Sequence, residues 1–140
     1  MEGLSIYCAG ERRWLRRPMR EELAGALSLS YRDADETIEL TNTDGRLRWL
    51  ENGQAVEARP GRDRWEAFWS EVDALDVWSW CRWYSPIQMS TDQPGWRLLM
   101  THDDRLVSAR GYGAFPPDGL DDPAALTGLV TAIRKLIEAN

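Results

Sequence analysis

The stretch RDRWEAFWSEVDALDVWSWCRWY, residues 62–84, decides the fold. Trp65, Phe68, Trp69, Val72 and Leu75 recur at 0, +3, +4, +7 and +10, while Arg64, Glu66, Glu71 and Asp73 avoid that stripe. One apolar stripe at this spacing predicts an amphipathic helix over about 62–75. Beyond it, Val77 to Tyr84 is rich in aromatic residues, and the pattern predicts a strand. On that strand Trp78, Trp80, Arg82 and Tyr84 share one face and Val77, Ser79, Cys81 and Trp83 the other.

Outward from this stretch the periods alternate between two and 3.6. Upstream, Leu27, Leu29 and Tyr31 alternate with polar residues, as do positions 37–41 and 46–50. Asp44-Gly45 and Asn52-Gly53 are two-residue hairpin signals, because glycine accepts the positive φ of a type I′ turn. Residues 28–59 therefore read as a meander with one wet and one buried face. Downstream, Trp96 to Thr101 and Arg105 to Arg110 read as a hairpin turned at His102-Asp103-Asp104. Leu126, Leu129, Val130, Ile133, Leu136 and Ile137 predict a last helix over about 122–139, capped by Asp121 or Asp122, with Pro123 in its first turn. The expected fold class is α+β: a single domain, 1–140, with a mainly antiparallel sheet packed on one face by the two helices. A chain of 140 residues is long enough to bury its own core.

Composition narrows the function. A formal net charge of −6 argues against broad nucleic-acid binding, since that needs a surplus of cations facing phosphates. Arginine supplies every positive side chain except Lys135, the pattern of a GC-rich bacterial genome. Cys8 and Cys81 belong to no C-x-x-C pair and are expected as buried free thiols in a reducing compartment. Neither a signal-like start nor a ~20-residue apolar run is present, so a soluble, cytoplasmic protein is expected, without membrane attachment.

Residues that carry chemistry are few. His102 is the only histidine and is expected as a solvated turn residue. The acids at 33, 35 and 36, and at 118, 121 and 122, read as turn and cap residues. Gly111-Tyr112-Gly113 lacks the Lys-Ser/Thr continuation of a phosphate loop. The expectation is therefore no catalytic residue, no metal and no cofactor. Arg12 to Arg20 holds five arginines and no acid, a basic patch with Trp14 inside it. Such a patch either grips an anion, since the guanidinium fork bonds phosphate or carboxylate bidentately, or is a solvated arm pairing with Glu11, Glu21 and Glu22.

Large aromatics on both faces of the 77–84 strand leave one face in want of a cover. Trp, Tyr and Arg dominate interface hot spots, and Trp78, Trp80, Arg82 and Tyr84 supply all three types. These four, with Trp14 and Arg16, are the expected partner-binding residues.

The order of features over residues 62–138 resembles a family of small bacterial α+β domains of the toxin-immunity type. The resemblance rests on the Trp65-x-x-Phe68-Trp69 helix, the Trp78-x-Trp80-x-x-x-Tyr84 strand, Gly95-Trp96, the Gly111 to Pro116 turn and the terminal helix. It implies a non-enzymatic immunity protein or inhibitor of a bacterial conflict system, which occludes another protein, a toxin or effector. Two alternatives stand beside it. One is a small-molecule or nucleotide-binding domain using the Arg12 to Arg20 segment; the other is a self-assembling structural subunit of phage origin.

Overall fold

A computed structural model describes residues 4–7, 13–14, 26–86, 94–103, 105–116 and 123–138, the backbone alone at 4–7, 13–14 and 85–86. Nine strands are found among them: β1 (Leu4–Tyr7), β2 (Arg13–Trp14), β3 (Leu27–Arg32), β4 (Thr37–Thr43), β5 (Arg46–Glu51), β6 (Gln54–Ala58), β7 (Trp83–Pro86), β8 (Gly95–His102) and β9 (Arg105–Tyr112). Two α-helices, α1 (Arg62–Ala74) and α2 (Ala124–Ile137), and one 3-10 turn (Val77–Ser79) complete them.

All nine strands join one sheet, in the order β1-β7-β9-β8-β3-β4-β5-β6. Every pairing is antiparallel except β7 with β9. The outer edge of β9 is shared: β2 takes its start (Arg13↔Leu106) and β7 its end (Trp83↔Arg110). In the meander, Asp44 and Gly45 have φ of 53° and 87°, and Asn52 and Gly53 have 52° and 88°. Both are the left-handed pairs that the two-residue turns require.

Alternation then sorts the side chains. Leu29 stands opposite Leu40 and Leu98, and Leu40 opposite Trp49. These residues are buried, and α1 and α2 lie over them through Phe68, Val72, Leu129, Ile133 and Leu136. Gly128 lets the helices close: a Cβ there would stand 3.2 Å from Leu75 Cδ2. Arg64 Nη1 donates to the Lys135 carbonyl at 2.9 Å, and Lys135 Nζ reaches Glu71 at 3.4 Å, so polar contacts tie the helix rims.

Two expectations are corrected here. The stretch 77–84 is not one strand. Asp76 takes φ 56°, and the chain turns through the 3-10 segment before β7 begins at Trp83. Local polar bonds outcompete the alternation. Trp78 Nε1 donates to the Asp73 carboxylate at 2.9 Å, and Ser79 Oγ donates to the Asp76 carbonyl at 2.8 Å. The second correction concerns cysteine. Cys81 is disulfide-bonded, and no described cysteine is free. The other cysteine of the chain, Cys8, lies outside the described residues. Asp121 and Asp122 lie outside them too; the residue before α2 is Pro123, with no side-chain cap bond.

Candidate functional site

The residues expected to bind a partner do not form one surface. Trp78, Trp80 and Tyr84 are 5%, 8% and 0% exposed, the first in the 3-10 turn, the second just after it and the third on β7. Tyr84 Oη accepts from the Cys81 N–H at 2.8 Å, and Trp80 packs edge-on against Trp96 with ring centroids 6.1 Å apart. Arg82 alone of the four is exposed. Trp14 lies on β2, of which only the backbone is described, and Arg16 lies outside the described residues, as does most of the Arg12 to Arg20 segment.

Among the described residues, the other face of the sheet carries no helix. Across it, one row runs Trp83, Arg110, Arg97, Ser30, Glu39 and Leu50. Arg97 and Arg110 stand directly opposite each other on β8 and β9. The Arg110 N–H donates to the Arg82 carbonyl at 3.0 Å, on the side away from β8. Arg97 and Arg110 are thus a non-hydrogen-bonded pair, the kind whose side chains come closest. Like charges at such a pair are unfavourable. Arg110 lays its guanidinium over the Trp83 ring, 5.0 Å from the centroid. Arg32, two residues beyond Ser30 on β3, extends the basic area.

No described carboxylate answers these charges. With the described residues Arg32, Arg97 and Arg110 enter no ion pair, whereas Arg46 and Arg48 both approach Glu57 at 3.9 Å. Asp33, the nearest acid along the chain to Arg32, is already engaged. Its carboxylate accepts from the Tyr31 hydroxyl at 2.6 Å and from the Asp35 and Glu36 N–H groups at 2.7 and 2.8 Å. The Tyr31 bond, then the two backbone bonds, hold Asp33 below its usual pKa; burial first, then Asp33, pushes Tyr31 above its own. Around Arg97 and Arg110 the surface is a broad, shallow depression of about 1030 Å³. Gly95 and Tyr112 form its far side.

Sequence reading missed this face. Counting from the turn expected at His102-Asp103-Asp104 places Arg97 opposite Ala109; His102 instead pairs with Arg105, and the two-residue turn brings Arg97 opposite Arg110.

Two further places gather aromatic or charged side chains. At the end of β8, His102 stacks on Trp69 with centroids 4.0 Å apart and planes at 11°. It is half-buried against an aromatic column, not a solvated turn residue. Burial holds its pKa below the ordinary value, against the pull of Asp103. Arg105 stands nearby, paired with Asp73 at 3.1 Å and laid over Trp78. A second depression, about 600 Å³, lies between β6 and the end of α2, over Trp49, Val56 and Ile137. Within it Arg134 meets Glu51 at 2.8 Å. Among the described residues no three His, Cys, Asp or Glu side chains converge as metal ligands, and no helix is long and apolar enough to cross a membrane. No family model, curated protein or solved structure matches the chain.

Proposed function

We propose that this chain is a non-enzymatic protein-binding inhibitor, of the immunity kind found in bacterial conflict systems, and that it acts by occlusion through the open face of its sheet. One observation carries the reading: Arg97 and Arg110 are set against each other on an exposed face, beside Trp83, with no described acid to neutralise them. A local conflict of this kind is what a site kept for a partner leaves in the free protein. Arginine with tryptophan is also the composition of interface hot spots. The resemblance over residues 62–138 adds the immunity character.

The test is capture from host lysate by the tagged protein, side by side with the R97E/R110E double variant. One stoichiometric protein partner, held by the wild type, lost by the double variant and inhibited by the wild type in its own activity, is the expected result. Capture unaffected by the double substitution removes the face from the proposal, and no captured protein removes the proposal. Both forms must share one thermal midpoint for the comparison to hold.

Cytoplasmic placement, expected from the sequence, is at odds with the disulfide at Cys81, and the state of that residue in the host decides it. Reducing cytosol keeps thiols free. Protein taken from its host and denatured without reductant should react with a maleimide at Cys81 if it resides there. A blocked thiol moves it to an oxidising compartment.

A further inference from the structure

We infer that the occupant of the open face is an acidic segment of the partner protein, whose side-chain carboxylates bridge Arg97 and Arg110 while an apolar neighbour packs on Trp83. The inference rests on the protein-binding reading above and names the chemistry of the partner.

Three features of the face select carboxylate. The guanidinium fork matches a carboxylate bidentately. Two forks on adjacent strands, at the closest kind of cross-strand pair, can share one carboxylate or take two neighbouring ones. Trp83 restrains the Arg110 plane, so less side-chain freedom is lost when an anion binds. A bridging anion also removes the Arg–Arg repulsion, so that binding is favoured by the state it relieves.

Charge distribution then favours an acidic protein segment over a nucleic acid. Among the described side chains, Arg32, Arg97 and Arg110 lie without an ion pair on β3, β8 and β9, while Arg59, just beyond β6, bonds only the Asp44 carbonyl. On β4 to β6 the same face carries Glu39, while Glu57 answers Arg46 and Arg48. A phosphate backbone crossing the sheet would leave the basic area within two strands and meet an acid on a chain of net charge −6. A short acidic segment with one apolar side chain stays on the basic half. The depression is shallow and open, which gives a small free dicarboxylate little contact beyond its charge.

The full chain, isotope-labelled, would be titrated with three probes: a short Asp/Glu-rich peptide containing one leucine, succinate, and a single-stranded oligonucleotide. The readout is the arginine Nε–H and tryptophan Nε1–H resonances. The peptide should shift Arg97, Arg110 and Trp83 together and saturably, bind at least about tenfold more tightly than succinate, and weaken with salt. R97Q and R110Q should each reduce peptide affinity about tenfold or more with a thermal midpoint no lower than that of the wild type. Tighter binding of the oligonucleotide than of the peptide overturns the inference in favour of nucleic acid. Succinate binding as tightly as the peptide overturns it in favour of a small ligand. Peptide that shifts other residues, or none, overturns it as well. If a host partner still requires Arg97 and Arg110 while the peptide stays unbound, only the acidic segment is wrong; if no host protein is captured, the parent reading falls too.

Discussion

Residue 111 shows how little space the interior leaves. A Cβ there would stand 2.5 Å from the Ala114 carbonyl oxygen and collide with the Trp96 indole, and that same indole Nε1 donates to Ala114 O at 2.9 Å. Gly111→Ala must push the ring away and loosen a buried bond. A loss of about 1–3 kcal/mol in urea unfolding is expected. At the opposite end of β8, His102 couples stability to pH. Its folded pKa lies below the ordinary 6.5 because burial against Trp69 disfavours the imidazolium. The unfolded chain therefore takes up the proton first as pH falls. The His102 contribution is complete above about 6.5 and is lost as pH falls toward the lower folded value. The urea midpoint of the wild type should drop between pH 7.5 and pH 5.5, and that of His102→Gln should drop less; equal drops would remove His102 as the cause. None of this was legible in the sequence. The histidine reads as a turn residue until the fold brings Trp69 against it from a helix far along the chain.

At the scale of elements, what was legible depended on which force sets the conformation. Helices α1 and α2 follow from apolar periodicity, and the β4–β5 and β5–β6 turns from glycine chemistry; both were read nearly to the residue. The segment 77–84 misled because alternation of large side chains is a statement about burial, while Asp73, Asp76 and Ser79 fix the backbone by short polar bonds. The surface assigned to Trp78, Trp80, Arg82 and Tyr84 divides accordingly. Trp80→Ala should destabilise by about 3–5 kcal/mol, as a large core truncation does. Arg82→Ala should stay within about 0.5 kcal/mol, since Arg110 bonds only the Arg82 backbone. Equal effects in thermal or urea unfolding would contradict this division. The β8–β9 hairpin gives a sharper expectation. Arg97→Glu replaces a like-charged pair by an opposite one, and stability should rise by about 0.2–1 kcal/mol even as partner binding is lost. A decrease in the urea midpoint would show that Arg97 contributes something the cross-strand register does not contain.

Taken whole, the molecule joins two sets of strands along a single pairing. On one side lies the meander β3 to β6, whose neighbours in space are neighbours in sequence. On the other lie β8, β9, β7, β1 and β2. The pairing of β3 with β8, Leu29 opposite Leu98, unites them beneath α1 and α2. The helices cover the face that the union makes apolar; on the opposite face Arg97 and Arg110 are exposed, whereas Thr101 and Leu106 farther along β8 and β9 are buried. The charge of that face is uneven because the strands on either side of the seam are patterned differently: Glu57 approaches Arg46 and Arg48 on the meander half, whereas no described acid reaches Arg97 or Arg110.

That seam also governs how the chain reaches its native state. The meander hairpins can close rapidly, their ends being only a few residues apart, whereas β3 finds β8 across nearly half the chain. Closing so long a loop loses chain entropy before any contact rewards it, which slows folding. Leu98→Ala, at the seam, should therefore lower the refolding rate, while Leu47→Ala, at the outer meander, should mainly raise the unfolding rate. Stopped-flow chevrons would separate the two arms. The uncovered side of the sheet would then be the last surface to exist: until β3 and β8 have paired, the chain can offer a hairpin with two repelling arginines, but no platform around them.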